Sequence, residues 1–577
     1  MDKETLTGYG WVVICSIILA IMIALATPFG GYMTTVTKNT VDGLLSMEEK
    51  QVEPPVVPLN KTYTLEEIEE DELLYAIGET KPEYVVAKYN DDYTAVVIFA
   101  NGEDSDGIVA TYSPWNYGAS PLAAHQNTLQ QVVYKEGIVH TGGAEASSYL
   151  FGGNPIINRV SLPHTLKHIG YKVFYNCKDL TEIIIPEGVT DIEGWAFANT
   201  KIQNITIPNN VTKISYATFN GCTQLSKVKL PNKLTTIENN AFKECTNLAT
   251  ITFPSGLTTI KSEAFAKSGL TSVNLTNIKT LDQKVFMNCS QLSNVKLSAH
   301  LSEIPDGTFY GCTKLESINM TTAITKIGDE AFKGSGLTQV NIFATSLGTG
   351  AFENCSKLKT VNLYGNNGGT IAENMFRNCT VLNRVTISGA PDVIGKNAFN
   401  GCTSLTGFSS SSLKTIKEGA FANSGLISYT IPKNAIVEKG VFEGCQELRN
   451  VTISSPMMTR IHENTFKDCK KLTTIIIPGT IKIIGKNAFS GAGLKTVTLK
   501  QGVVTLESMA FADCALTSIT IPNSLEDIDE NAFTGLSTLV YSVTVYCQSQ
   551  EAKMNILVGA GKNLPSGTTY VIDSSKF

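Results

Sequence analysis

Between residues 128 and 536 one arrangement of apolar and polar positions recurs, and the stretch Cys245 to Phe265, CTNLATITFPSGLTTIKSEAF, shows it most plainly. Leu248, Ile251 and Phe253 are apolar at strand spacing. A proline follows, then Leu257 and Ile260, and the stretch closes on Ala264-Phe265. Twenty-three residues earlier Cys222, Leu225, Val228, Leu230 and Pro231 hold the places of Cys245, Leu248, Ile251, Phe253 and Pro254. The firmest marker is the Phe, which stands at 174, 197, 219, 242, 265, 286, 309, 332, 352, 376, 399, 421, 442, 466, 489, 511 and 533, at spacings of 20 to 24 residues. A fixed period of that size predicts a solenoid of seventeen stacked coils rather than several globular domains. A degenerate coil precedes them, with Leu129, Val132 and Tyr134 at strand positions and Phe151 twenty-three residues before Phe174.

Each part of the unit has a physical role. Apolar residues at spacing two point inward from a short strand, and stacking these strands predicts one long parallel sheet. The proline after the strand, present in eight coils including Pro186, Pro208 and Pro478, has no amide hydrogen and ends the ladder. Leu257 and Ile260 carry the chain back across the core, and the Phe rings are expected to stack as a spine. Two residues after the Phe stands Gly, Asn or Asp in fifteen of the seventeen coils, which predicts a left-handed turn there.

The flanks break the pattern. Trp11 to Phe29 is apolar and long enough to span a membrane, so residues 1–33 read as an export element. An uncleaved anchor with the repeats outside the cell is one reading; a signal peptide cut after Ala26 is the other. Residues 34–60, with EEKQVEPPVVP, form an extended linker. Thr64 and Glu67 make a capping box that opens a helix running through Leu74. YVVAKYNDDYTAVVIFANG alternates as two strands about Asn90-Asp91-Asp92 and Ser113-Pro114-Trp115 closes the unit, so residues 61–127 read as a small β-rich cap. Residues 537–577, with a strand, a short helix and a last strand, read as the carboxyl-terminal cap that a solenoid requires.

Charge and cysteine content narrow the function. With 46 basic against 52 acidic residues the net charge is −6, which offers no attraction to nucleic acid phosphates. Eleven of the thirteen cysteines fall three residues after the Phe, and the other six coils carry Thr, Ser, Ala or Leu there. That register makes them reduced core side chains at a crowded corner, although coils about 5 Å apart would bring neighbours such as Cys222 and Cys245 within reach of a disulfide. No catalytic residues, cofactor-binding motif or metal set stand outside the scaffold, and no enzymatic activity is expected.

The pattern L-x-x-I-x-I-P-x-x-L-x-x-I-x-x-x-A-F-x-x-C over residues 128–536 resembles the BspA-type leucine-rich repeats of bacterial and protist surface proteins. The resemblance implies an α/β-type leucine-rich-repeat solenoid with one short parallel strand per coil, on a surface-exposed binding or adhesion protein. Its partners would be proteins, with host extracellular matrix or cell-surface proteins the implied class. A structural spacer or assembly protein of the envelope is the alternative. The outward strand position is Thr in seven coils and Asn in four, a neutral polar face poor in aromatics. Asn319, Asn341 and Asn362 fall beside the most irregular coils, FATSLGTGAF and Tyr364-Gly365-Asn366-Asn367-Gly368-Gly369. Irregularity within a regular array marks Asn319, Asn341, Asn362, Tyr364, Asn366 and Asn367 as candidate binding residues.

Overall fold

The computed structural model describes residues 52–57, 61–78, 81–102, 105–108, 111–112, 127–144, 150–364, 369–536, 542–559 and 563–576. The apolar segment 11–29, Ser113-Pro114-Trp115, Asn366 and Asn367 lie outside them. Among the described residues no helix is long and apolar enough to cross a membrane. The chain divides into Met1–Val56 and Val57–Phe577, and the second unit holds all the elements below.

Its coils stack as a parallel β-solenoid with little helix. Strand Asn204–Thr206 pairs in parallel with Lys227–Lys229, setting Ile205 beside Val228, and in Asn204–Thr206 only the central residue is buried. The period-two reading of these strands therefore holds. The expectation of a single sheet does not. Each coil also gives a second strand of two residues on its return path, as in Lys213–Ile214, Thr236–Ile237, Thr259–Ile260 and Thr280–Leu281, which form a parallel sheet of their own. Leu257 and Ile260 thus do more than turn the chain, because Ile260 sits in a ladder. One inward residue per strand leaves no alternation to read. The first sheet also falls into blocks; one of five strands, Thr474–Ile477, Thr496–Leu499, Ser518–Ile521, Thr544–Cys547 and Thr569–Ile572, ends the array.

Proline acts as expected. Strands Ser428–Ile431, Thr474–Ile477 and Ser518–Ile521 stop immediately before Pro432, Pro478 and Pro522. The proline carbonyls then accept the amides of Ala435, Ile481 and Leu525 at 3.0, 3.0 and 3.2 Å, closing a turn.

Phe151 and the seventeen repeat phenylalanines form an unbroken spine with ring centroids 5.2–6.5 Å apart and interplanar angles of 2–18°. All are buried, each ring contributing about 1.5–3 kcal/mol through burial alone. The residue two after the Phe is left-handed in every coil, including Glu244 and Lys267. A second left-handed column stands two residues before the Phe in sixteen coils, where Lys172, Trp195, Glu263 and Met509 occupy a geometry that favours glycine.

The eleven register cysteines are buried and, like Cys547, unbridged. Each register thiol donates to the carbonyl of the preceding coil's Phe, for example Cys222 to Phe197 at 3.1 Å, Cys245 to Phe219 at 3.2 Å and Cys289 to Phe265 at 3.0 Å.

At the amino-terminal end Leu74–Ala76, Val85–Tyr89 and Ala95–Ala100 pair antiparallel, and Ala95–Ala100 then pairs in parallel with Gln131–Tyr134, which pairs with Arg159–Ser161. Both faces are covered: Val85, Ala87, Val96 and Ile98 join the main core, while Val86, Val97 and Phe99 pack with Tyr63, Ile68 and Leu74. The Thr64–Glu67 capping box is formed, but its helix is only Leu65–Glu70. Leu74 lies in a strand instead, because Leu74–Ala76 gains ladder partners in Val86–Lys88. At the other end strand Thr544–Cys547, helix Gln550–Gly559 and strand Thr569–Ile572 follow one another. The helix buries Ala552 and Ile556, and Asn555 Nδ2 donates to the Leu525 carbonyl at 2.9 Å.

Candidate functional site

The outward side of the first sheet changes character in two adjacent coils. Strands Gln339–Ile342 and Thr360–Leu363 pair in register, with Asn341 opposite Asn362. Val340, Ile342, Val361 and Leu363 are buried, so the strand alternation turns Asn341 and Asn362 outward on one face. Asn362 Nδ2 donates to Asn341 Oδ1 at 2.9 Å.

One step further along each strand the place held elsewhere by proline is taken by an aromatic residue, Phe343 in one coil and Tyr364 in the next. Their rings stack with centroids 4.9 Å apart at 12°, and the Tyr364 amide donates to the Ile342 carbonyl at 2.8 Å, continuing the ladder through the position a proline would have broken. Tyr364 is 38% exposed. Two carboxamides and two rings thus form a square on an otherwise Thr-rich face, rigidly spaced by the ladder beneath it.

Of the candidates read from sequence, the structure brings together Asn341, Asn362 and Tyr364. Asn319 is exposed, one coil earlier and outside any strand. Phe343 was missed. Its signal was an aromatic residue at the proline register in two successive coils, since Thr276, Ser298, Thr321, Ser388, Ser411, Ser454 and Lys500 hold that place in the other coils without proline.

The opposite, Phe-bearing side of the coils carries two further features. Near the amino-terminal end Trp195 meets Tyr175 and Tyr216 edge-on, at 5.8 and 5.6 Å, and Lys172 Nζ lies 5.1 Å over the Tyr171 ring. Further along, Gly419 and Gly440, each two residues before its Phe, line a polar groove of about 450 Å³ together with Asn397, Asn423, Glu443 and Asn464 among others. Among the described residues no group of three or more His, Cys, Asp or Glu could hold a metal. Burial pushes the thiols of Cys222, Cys289 and Cys445 up to about 11 and those of Cys402 and Cys514 to about 12, which leaves them poor nucleophiles.

Comparison with known proteins agrees with the coil geometry. The family model described as "BspA type Leucine rich repeat region (6 copies)" matches residues 144–271, 221–338, 325–449 and 434–540, more than half of the chain. No curated protein matches the sequence. Among solved structures, a leucine-rich repeat protein from Bacteroides ovatus is 19% identical, with 68% of this chain and 93% of that one covered and a TM-score of 0.36. A leucine rich cell surface protein from Faecalibacterium prausnitzii is 17% identical, with 82% and 96% covered and a TM-score of 0.28.

Proposed function

The chain belongs to the BspA-type leucine-rich-repeat family, and on that premise we propose that it is a cell-surface binding protein that engages protein ligands, host extracellular matrix or cell-surface proteins among them, through the outward face of its first sheet. The observation that carries the reading is the square of Asn341, Phe343, Asn362 and Tyr364. Aromatic side chains dominate binding energy at protein interfaces because they bury much area at small entropic cost. The adjacent carboxamides, already ordered by their mutual hydrogen bond, add directional donors and acceptors without the desolvation cost of a charge. Elsewhere the face offers Thr in seven coils, which suits a soluble strand surface. The reading includes attachment through the apolar segment 11–29, with the repeats outside the cell and residues 61–127 and 537–577 closing the two ends of the core. Catalysis forms no part of it.

The test is a pull-down with the full chain in detergent against host matrix and plasma proteins, read by mass spectrometry, beside the variant Phe343→Ser/Tyr364→Ser. Serine already stands at this position in Ser298, Ser388 and Ser454, so the variant keeps the coil. Retained partners that are lost in the variant support the reading; partners retained equally by both proteins move the site elsewhere.

A further inference from the structure

The carboxyl-terminal element covers the end of the core but leaves an apolar outer face. A solenoid's terminal element needs a polar outer face, yet helix Gln550–Gly559 exposes Met554 at 49%, Leu557 at 40% and Val558 at 81%, and Ile572 of the last strand is 53% exposed. That strand, Thr569–Ile572, is the outermost of its sheet and, among the described residues, pairs only with Thr544–Cys547. The Thr569 amide donates to Val543 at 2.9 Å and the Asp573 amide to Cys547 at 3.0 Å. In a parallel ladder alternate residues bond to the same side, so Tyr570 and Ile572 turn their N–H and C=O groups away from the sheet. No proline or bulge interrupts the strand, although such edges are ordinarily blocked.

We propose that this end pairs with the same end of a second copy of the chain, edge strand to edge strand, antiparallel about a two-fold axis. The charges around the edge fit a self-complementary surface, because Glu551 and Asp573 are matched by Lys553 and Lys576, and a two-fold sets a patch against itself. Tyr570 of one copy then exchanges both backbone hydrogen bonds with Ile572 of the other, which fixes the register. Val571 falls on the axis and meets its own copy as a non-hydrogen-bonded pair, with Cα atoms about 4.5 Å apart. The apolar helix residues are covered in the same contact.

The register makes a site-specific test. A disulfide spans Cα separations of about 4.4–6.8 Å, so Val571→Cys in the full detergent-solubilised chain should give a covalent dimer under mild oxidation, while Thr569→Cys, displaced from the axis, should react at least tenfold more slowly. The native register thiols are buried and serve as an internal control. Sedimentation should find the unmodified chain dimeric and Val558→Asp/Ile572→Pro monomeric with unchanged circular dichroism; proline is tolerated there because the lost amide hydrogen faces outward. Absence of the Val571→Cys dimer, equal rates at the two positions, or a dimer that survives Val558→Asp/Ile572→Pro would each overturn the proposal.

Discussion

Replacing Phe332 by alanine tests whether the spine holds the array together coil by coil. The ring is fully buried and stacks on Phe309 at 5.3 Å and Phe352 at 5.2 Å. A cavity-forming Phe→Ala change costs about 3–5 kcal/mol. Two lost ring contacts of about 0.5–1.5 kcal/mol each put this site near the upper end, about 5 kcal/mol. In a solenoid each coil contacts only its neighbours, so the loss should stay local. Amide hydrogen exchange measures it directly: the Phe309 amide, bonded to the Ala331 carbonyl, and the Phe332 amide, bonded to Ala351, should lose three to four orders of magnitude of protection, at about 1.4 kcal/mol per factor of ten. The Phe489 amide, bonded to Ala510 seven coils away, should change less than about twofold. Equal losses at Phe332 and Phe489, or a local loss below tenfold, would refute the coil-by-coil account.

Other consequences follow from single positions. Gly444 has φ +71° and its missing Cβ would run into the Asn423 side chain, so Gly444→Ala should lose about 1–2 kcal/mol from the backbone term alone, whereas Met509→Gly, at φ +57°, should be neutral or stabilising by up to about 1 kcal/mol in denaturant melts of the local coils. The buried register thiols should resist a water-soluble thiol reagent at pH 8 in the native chain and react fully once it is denatured; rapid native labelling of more than one of them would contradict their raised pKa values. The Glu193 carboxylate is held below its ordinary value chiefly by the His140 ring, whose Nε2 lies 3.8 Å from Oε1, with lesser help from Tyr171 and His168. A depressed folded pKa stabilises above the unfolded carboxylate range and is lost as pH falls through the folded value. Glu193→Gln should therefore cost less than about 1 kcal/mol near neutral pH, since the pair is partly exposed, and nothing in acid; a cost that persists in acid would point to packing instead.

The parts of the fold legible in sequence are those where one residue type answers one physical demand. Phe265 and its copies had to be core, Pro478 had to stop a strand, and Gly221 or Asn288 had to be left-handed. The second sheet was hidden because a strand as short as Thr259–Ile260 has no periodicity of its own. The second left-handed column was hidden because Lys172, Trp195 and Met509 tolerate the geometry there only under the constraint of neighbouring coils. The candidate site was half visible. Asn341, Asn362 and Tyr364 were picked out by irregularity, while Phe343, inside the short coil FATSLGTGAF, was not, since only pairing of the two strands reveals that it stacks on Tyr364. Asn319 shared the composition but lies outside the ladder. The aromatic group of Tyr175, Trp195 and Tyr216 left no pattern, because its members sit at different places in their coils and meet only through stacking of the coils.

The central claim, that the sheet face at Asn341 to Tyr364 binds protein ligands, is tested most directly by quantitative binding of the full chain and of Phe343→Ser/Tyr364→Ser to immobilised fibronectin, laminin and fibrinogen. The account predicts saturable binding to at least one of them that the double variant weakens at least tenfold, with Lys229→Thr, on the same face several coils away, unchanged. Binding equally strong in the double variant, or no saturable binding to any of the three, would contradict it.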